Sequence, residues 1–268
     1  MLRFHLVIDR IGCLVPASFF VHIAFFFCQF ALPCLRAARM GRQTDGVLPA
    51  VPCPYHSNNE VSMQLIGMMD SPFVRRVAVS MAVLGIAFEH RSVSVFRHFD
   101  EFRQINPTVK APTFIDDDGT QLIDSTLILD YLDQRVAPES RLMPQALAVR
   151  RRALHLIGFA LAACEKAVQI SYERNIRPEE KRHAPWLERL QAQLAAACDT
   201  LEHDVAKLDP GAWLCGDRLM QPDITVAVAW RFTQYAVPGA IDPGRYPGLA
   251  ALSRRAEALP AFVGAPLE

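Results

Sequence analysis

From residue 63 onward, short apolar runs alternate with segments whose apolar residues recur at helical spacing. This pattern predicts strands at 64–68, 88–95, 113–115 and 121–123, and helices that begin near residues 71, 98 and 125. The turn-forming run from Asp116 to Gly119 predicts a hairpin between the last two strands, and Gly85 the end of the first helix. The predicted order is β-α-β-α-β-β-α.

The second half of the chain lacks the alternation that is typical of strands. Apolar residues recur every three or four positions over 157–168 and again over 187–208, which predicts amphipathic helices packed in a bundle. The stretch from Pro138 to Pro144 separates the two patterns. We therefore predict an α/β domain at 63–137, a linker at 138–146 and an all-α helical-bundle domain at 147–268.

The first 62 residues have a different character, with a nearly uncharged, phenylalanine-rich run at 11–35 followed by a turn-rich stretch. This run has the length of a membrane anchor, and the arginines after it would leave the rest of the chain in the cytoplasm. A cleaved signal peptide fits less well, because no small-residue cleavage site follows. We favour a third interpretation, in which 1–62 are not part of the working protein and Met63 is its start.

Net charge and cysteine content limit the kinds of ligand and cross-link that we expect. The chain has 28 basic and 28 acidic residues, so its net charge of zero argues against a nucleic-acid partner. Its seven cysteines are odd in number and form no C-x-x-C pair, which argues against a disulfide framework or a zinc site. We expect a cytoplasmic protein without a metal, associated with a membrane only if 11–35 is a retained anchor.

Three short segments carry the candidate chemistry. Ser71 and Pro72 form a typical helix start. The second segment is Asn106-Pro107-Thr108-Val109-Lys110-Ala111-Pro112, and the third is the pair Asp124-Ser125, in which Ser125 is expected to cap the third helix. On the simplest interpretation the two serines are only caps and the lysine is a solvated loop residue.

These segments, in this order and spacing, resemble the glutathione-site motifs of cytosolic glutathione S-transferases, in particular bacterial zeta- and beta-like members with serine at the thiol position. The resemblance extends from Met63 to the end of the chain. It implies an α/β thioredoxin-like N-terminal domain followed by an all-α helical-bundle domain, and it implies a homodimer. Glutathione would be the co-substrate.

The resemblance also assigns a catalytic role to Ser71. A free thiol has a pKa of about 8.5, so little of it is ionised at neutral pH. A hydroxyl that donates to the sulfur beside a helix N-terminus would stabilise the thiolate. Relatives with cysteine at this position transfer or reduce thiols, whereas serine favours conjugation or isomerisation.

Five further residues would bind the rest of the tripeptide. Pro112 resembles the family's cis-proline, which would turn the backbone of Ala111 toward the cysteinyl peptide group. Asp124 and Ser125 would bind the γ-glutamyl amine and carboxylate, the latter through the helix N-terminus. Lys110 would pair with the glycyl carboxylate.

The helical half departs from the family pattern at one position. Met220 stands where relatives place a Ser or Thr that forms a capping box with Asp223, which we interpret as a structural residue. Loss of such a cap costs about 1 kcal/mol, so we expect Met220→Ser to raise the melting temperature.

The resemblance implies a transferase that uses the glutathione thiolate on a small electrophile, as in detoxification. The second substrate should lie between the domains, against the helix that holds Tyr172. The candidates to contact it are Tyr172, Phe159 and Trp230, each of which more simply serves packing. One alternative is a zeta-like isomerase, although zeta relatives have a Ser-Ser-Cys start where this chain has Asp70-Ser71-Pro72. Another is a non-catalytic binding or regulatory module, against which the retained site residues argue.

Overall fold

The structure is a computed structural model and describes residues 62–267. The apolar run at 11–35 and its three interpretations lie outside the described residues.

The N-terminal part is a four-stranded sheet with three helices. Its elements are β1 (Gln64–Ile66), α1 (Pro72–Leu84), β2 (Glu89–Arg91), α2 (Phe99–Ile105), β3 (Thr113–Ile115), β4 (Gln121–Ile123) and α3 (Ser125–Gln134). The strand order is β2-β1-β3-β4; β1 pairs with β2 in parallel and with β3 antiparallel, in a register that sets Leu65 opposite Phe114. The predicted thioredoxin-like order and both hairpin strands are confirmed.

The structure corrects three local predictions. The first two strands are shorter than predicted, and β2 ends because the Val93 N–H turns back to the carbonyl of Arg91 at 3.0 Å. Asp124, and not Ser125, is the N-cap of α3, since its carboxylate accepts the Thr126 N–H at 2.9 Å. On α3, Ile128 and Leu132 are fully buried, whereas Leu127 is 64% exposed.

Helix α1 lies between the sheet and the helical half. Val77 and Met81 are fully buried beside Leu65 and Phe114 of the sheet, in a core that also receives residues from the helical half. Every residue of α1 from Val74 to Met81 is buried, so each polar side chain in this stretch needs a partner inside the protein.

The C-terminal part is helical, as predicted. It comprises α4 (Leu147–Asn175), α5 (Ala184–Val205), α6 (Gln221–Ala236), α7 (Pro247–Glu257) and α8 (Pro260–Val263), with short 3-10 turns between some of them. The predicted stripe Leu190, Leu194, Cys198 and Leu201 of α5 is buried in a core shared with α4 and α6. Among the described helices, α4 has the length and apolar composition of a membrane span, but its apolar residues supply this bundle core.

The start of α6 is organised by Asp223. Its buried carboxylate accepts the N–H of Leu214 at 2.7 Å and that of Met220 at 2.9 Å. Burial raises the pKa of Asp223 to about 6, although the two N–H groups act in the opposite direction. Asp223 thus supplies its half of a capping box, whereas the Met220 sulfur is only a weak acceptor for the other half, and the Met220 side chain is itself buried.

Candidate functional site

A cavity of about 1240 Å³ opens between the sheet-based part and the helical bundle. Its walls come from the loops after β1, β2 and α2, the start of α3, and one side of α4 and α6. The six residues singled out in the sequence all line it: Ser71, Lys110, Ala111, Pro112, Asp124 and Ser125. Segments more than 50 positions apart in the chain therefore meet at one surface.

Ser71 lies at the N-terminal end of α1 with extended backbone dihedrals, directly before Pro72. Its side chain forms no capping hydrogen bond in the described part of the chain, although its carbonyl accepts the Arg75 N–H at 2.9 Å. The simplest interpretation, a serine that only caps its helix, therefore does not account for the hydroxyl. On the cavity wall, at the positive end of a helix dipole, this hydroxyl can donate to an anion.

The loop before β3 is held by Asn106, which is 2% exposed. Its side-chain amide donates to the Thr113 hydroxyl at 2.9 Å, and its side-chain oxygen accepts the Thr108 N–H at 2.9 Å. The Ala111–Pro112 peptide bond is cis, as predicted. Ala111 and Pro112 line the cavity, where a backbone can pair with an extended ligand.

Asp124 has the positive φ of 73°, a conformation that costs a non-glycine residue about 1–3 kcal/mol and clusters at functional sites. Its second carboxylate oxygen accepts from Lys110 Nζ at 3.2 Å. Burial acts to raise the pKa of Asp124, but the Thr126 N–H, Lys110 and Arg76 together hold it below its ordinary value. The cavity therefore presents a carboxylate that is ionised at neutral pH and suits a ligand ammonium group.

Arg76 is a site residue to which sequence reasoning gave no role. Its guanidinium, in a residue 1% exposed, donates to the Ser125 hydroxyl at 3.0 Å and to the Thr126 hydroxyl at 3.2 Å. It also donates to the Thr225 hydroxyl of α6 at 3.3 Å. The sequence contained a signal for such a role, because two consecutive arginines stand within an otherwise apolar helix. Arginine is seldom fully buried unless it has a partner.

The far end of the cavity is mainly aromatic and apolar. Tyr172 of α4, one of the three candidates, lines it and meets Phe96 edge-to-face with ring centroids 5.3 Å apart. Burial, together with the nearby charge of Asp70, raises the pKa of Tyr172, so its phenol stays protonated at neutral pH. Phe159 and Trp230 are not among the lining residues: the first packs on His155 and the second is buried in the bundle core.

Comparison with known proteins identifies both halves. The N-terminal domain of glutathione S-transferase matches residues 65–140 and its C-terminal domain matches residues 184–255. A probable maleylacetoacetate isomerase of Vibrio cholerae is 28% identical over 224 residues, which cover 76% of this chain and 95% of the relative. The maleylacetoacetate isomerase of Pseudomonas aeruginosa is 27% identical over 151 residues, which cover 53% and 68%.

Solved structures give the same result. A glutathione S-transferase from Methylobacterium radiotolerans, in complex with glutathione sulfonate, is 27% identical with a TM-score of 0.71 over 77% of this chain and 95% of that one. A glutathione transferase family member from Pseudomonas fluorescens Pf-5, with bound glutathione, is 28% identical with a TM-score of 0.67 over 77% and 100%. With both domains matched in order over more than half of its length, this chain belongs to the glutathione S-transferase family.

Proposed function

We propose that this protein is a glutathione transferase in which Ser71 stabilises the glutathione thiolate for attack on a small electrophile. The observation that carries the proposal is the Ser71 hydroxyl, which lies on the cavity wall at a helix N-terminus and is not used to cap that helix. Membership of the family supports the choice of co-substrate.

The tripeptide would lie along the wall that the six residues form. Asp124 would take the γ-glutamyl ammonium and Ser125 the adjacent carboxylate, while the backbone of Ala111 pairs with the cysteinyl peptide group. In the free protein Lys110 is bound to Asp124. We propose that the ligand ammonium replaces it there, which frees Lys110 for the glycyl carboxylate.

The chemical step uses the thiolate as the nucleophile. The thiol proton leaves to solvent, and the Ser71 O–H, with the positive end of the α1 dipole, favours the anion that remains. The sulfur then forms a bond to the electrophilic carbon. In a substitution the leaving group departs with its electron pair; in an addition to an activated double bond, the neighbouring carbon takes up a proton.

A second candidate is a glutathione-dependent isomerase, which the names of the Vibrio and Pseudomonas aeruginosa relatives favour. Maleylacetoacetate carries two carboxylates, so its site should offer cations. The described residues at the far end of the cavity include one cation, Arg97, and one acid, Asp70. The other side chains there are mainly aromatic or apolar, such as Phe96 and Tyr172. This balance supports conjugation of apolar electrophiles over isomerisation of a dianion.

We further propose that the protein is a cytoplasmic homodimer that acts in detoxification. Family membership supports all three points, and the described cysteines are free thiols, which suits a reducing compartment. Light scattering of the purified full chain would measure the dimer; a monomer at micromolar concentration would contradict it.

The test is retention on immobilised glutathione followed by turnover with a panel of aromatic halides, enals and maleylacetoacetate. Ser71→Ala should lower conjugation about 100-fold, the scale for one lost donor to a developing anion. Ser140→Ala, the same change at an exposed serine, is the matched control.

Full turnover by Ser71→Ala would remove the serine from the mechanism, and wild-type turnover of maleylacetoacetate alone would favour the isomerase. Neither retention nor turnover would favour the binding module.

A further inference from the structure

Arg76 is a buried cation that forms no direct ion pair with the described residues. Its three hydrogen-bond partners are the hydroxyls of Ser125, Thr126 and Thr225, and its Nε has no partner among the described residues. Burial lowers the pKa of Arg76 to about 10, so the guanidinium is still charged at neutral pH. A buried charge whose direct contacts are all neutral lowers the stability of the fold. A function in ligand binding would explain why it is there.

Two acidic groups lie near Arg76, and neither is among its hydrogen-bond partners in the described part of the chain, although the charge of Asp124 acts on it at longer range. Cys164 lies nearby, but burial raises the pKa of its thiol to about 12, so it is uncharged. The Asp124 carboxylate is hydrogen-bonded to the Thr126 N–H at 2.9 Å and to Lys110 at 3.2 Å. The positive charge therefore remains available to an anion in the adjoining cavity.

The contact with Ser125 directs that charge toward the cavity. Arg76 donates to the Ser125 oxygen at 3.0 Å, so the serine's own hydrogen must point elsewhere. Ser125 lines the cavity and is the first residue of α3, where backbone N–H groups also point outward. A guanidinium that donates to the oxygen of a cavity-lining serine makes the serine hydroxyl a better donor to an anion.

We propose that Arg76 is a positioning residue for the α-carboxylate of the γ-glutamyl group, on which it acts through the Ser125 hydroxyl. The inference rests on the proposed binding of glutathione and adds the source of the positive charge at that end. It predicts that removing the charge weakens a ligand with this carboxylate much more than one without it.

A purely structural role makes a different prediction. Arg76 also joins α1 to α3 and, through Thr225, to α6, so its loss could loosen the site as a whole. Such loosening would weaken every ligand of the cavity by a similar factor. The two roles are separated by combining changes in the protein with a change in the ligand.

The experiment measures the affinity of the full chain for glutathione and for the analogue in which hydrogen replaces the α-carboxylate, by titration calorimetry at fixed pH and salt. For Arg76→Met we expect glutathione to bind about 30-fold more weakly, the scale of one lost charge-assisted hydrogen bond, and the analogue less than about threefold. Equal losses for both ligands, or no loss for either, would overturn the role of Arg76.

A second variant keeps the arginine and cancels its charge. Thr225→Asp sets a carboxylate where the Arg76 guanidinium now donates at 3.3 Å, so the preference for glutathione over the analogue should fall about as far as in Arg76→Met. Thr225→Val is the matched control and should leave that preference within about threefold of the wild type. A preference that survives Thr225→Asp would also overturn the proposal. Wild-type protein that binds neither ligand would instead contradict the proposed function itself.

Discussion

Arg75 and Arg76 are neighbours on α1 with nearly the same burial, 2% and 1% exposed, yet they are partnered in opposite ways. Arg75 forms two hydrogen bonds of 2.6 Å with the Glu257 carboxylate and donates to the carbonyl of Ala265 at 2.7 Å. Arg76 meets three hydroxyls and no carboxylate of the described residues.

The partners of a buried charge indicate the role of that charge. A paired charge, such as Arg75 with Glu257, is satisfied by the fold and holds the C-terminal segment against α1. A charge that is unmatched, in the sense that it has no ion-pair partner among the described residues, costs stability unless something else uses it. That is why we assign Arg75 to stability and Arg76 to the ligand.

The largest expected effect is on the paired charge. Arg75→Met should lower the free energy of unfolding by about 3 kcal/mol, because it leaves the Glu257 carboxylate, 23% exposed, without its partner. Urea denaturation measures this, with Arg254→Met, at an exposed position of α7, as the control. A loss below about 1 kcal/mol would mean that the pair does not stabilise the fold.

Asp223 is a third kind of buried charge, since its partners are backbone N–H groups and not an opposite charge or hydroxyls. Its pKa, raised to about 6 by burial, means that the folded state binds a proton more tightly than the unfolded state does. This contribution to stability is present below pH 4 and is lost as pH rises through 6, by about 2 kcal/mol.

Unfolding free energies of the wild type and Asp223→Asn between pH 4 and 7 isolate that contribution. Because asparagine does not titrate, the wild type should lose about 2 kcal/mol relative to the variant over this interval. A constant difference would show that the two N–H groups compensate fully for burial.

Met220, at the start of the same helix, allows the effect of an uncharged buried side chain to be compared with that of Asp223. The sequence led us to expect that Met220→Ser stabilises the protein, but the methionine side chain is only 8% exposed. A new cap contributes about 1 kcal/mol, and the lost apolar burial costs about 2 kcal/mol. We therefore now expect a melting temperature about 3 °C lower in differential scanning calorimetry; a higher value would restore the first expectation.

The smallest expected effect on stability belongs to Arg76→Met, at less than about 1 kcal/mol, because the change also removes an unmatched buried charge. The Thr225 hydroxyl keeps its bond to the Gln221 carbonyl at 2.9 Å. Urea denaturation beside Arg75→Met is the measurement. Equal losses in the two variants would erase the distinction between the two arginines.

Local sequence signals predicted most of the fold and three of the segments that line the cavity. Ser71-Pro72 at a helix start, Gly85 at its end and the hairpin after Pro112 depend on nearby residues, and each was placed correctly. The cap of α3 was misassigned because Asp124 and Ser125 both suit that position, and only the fold shows that Arg76 occupies the serine oxygen.

The partners of the two arginines could not be predicted for the same reason. Glu257 is 182 positions from Arg75, and Thr225 is 149 positions from Arg76. Such contacts depend on how α6 and α7 pack against α1, which helical periodicity does not specify. The spacing of apolar residues predicts which face is buried, but not which residue of another helix it meets.

The central claim is that this cavity binds glutathione as its thiolate at Ser71. The most direct test is to titrate the bound thiol by its ultraviolet thiolate absorbance in the wild type and in Ser71→Ala. We predict a bound pKa at least about one unit below the free value of about 8.5 in the wild type, and a return toward that value in the variant. The same pKa in both proteins, or an unshifted pKa in the wild type, would contradict it.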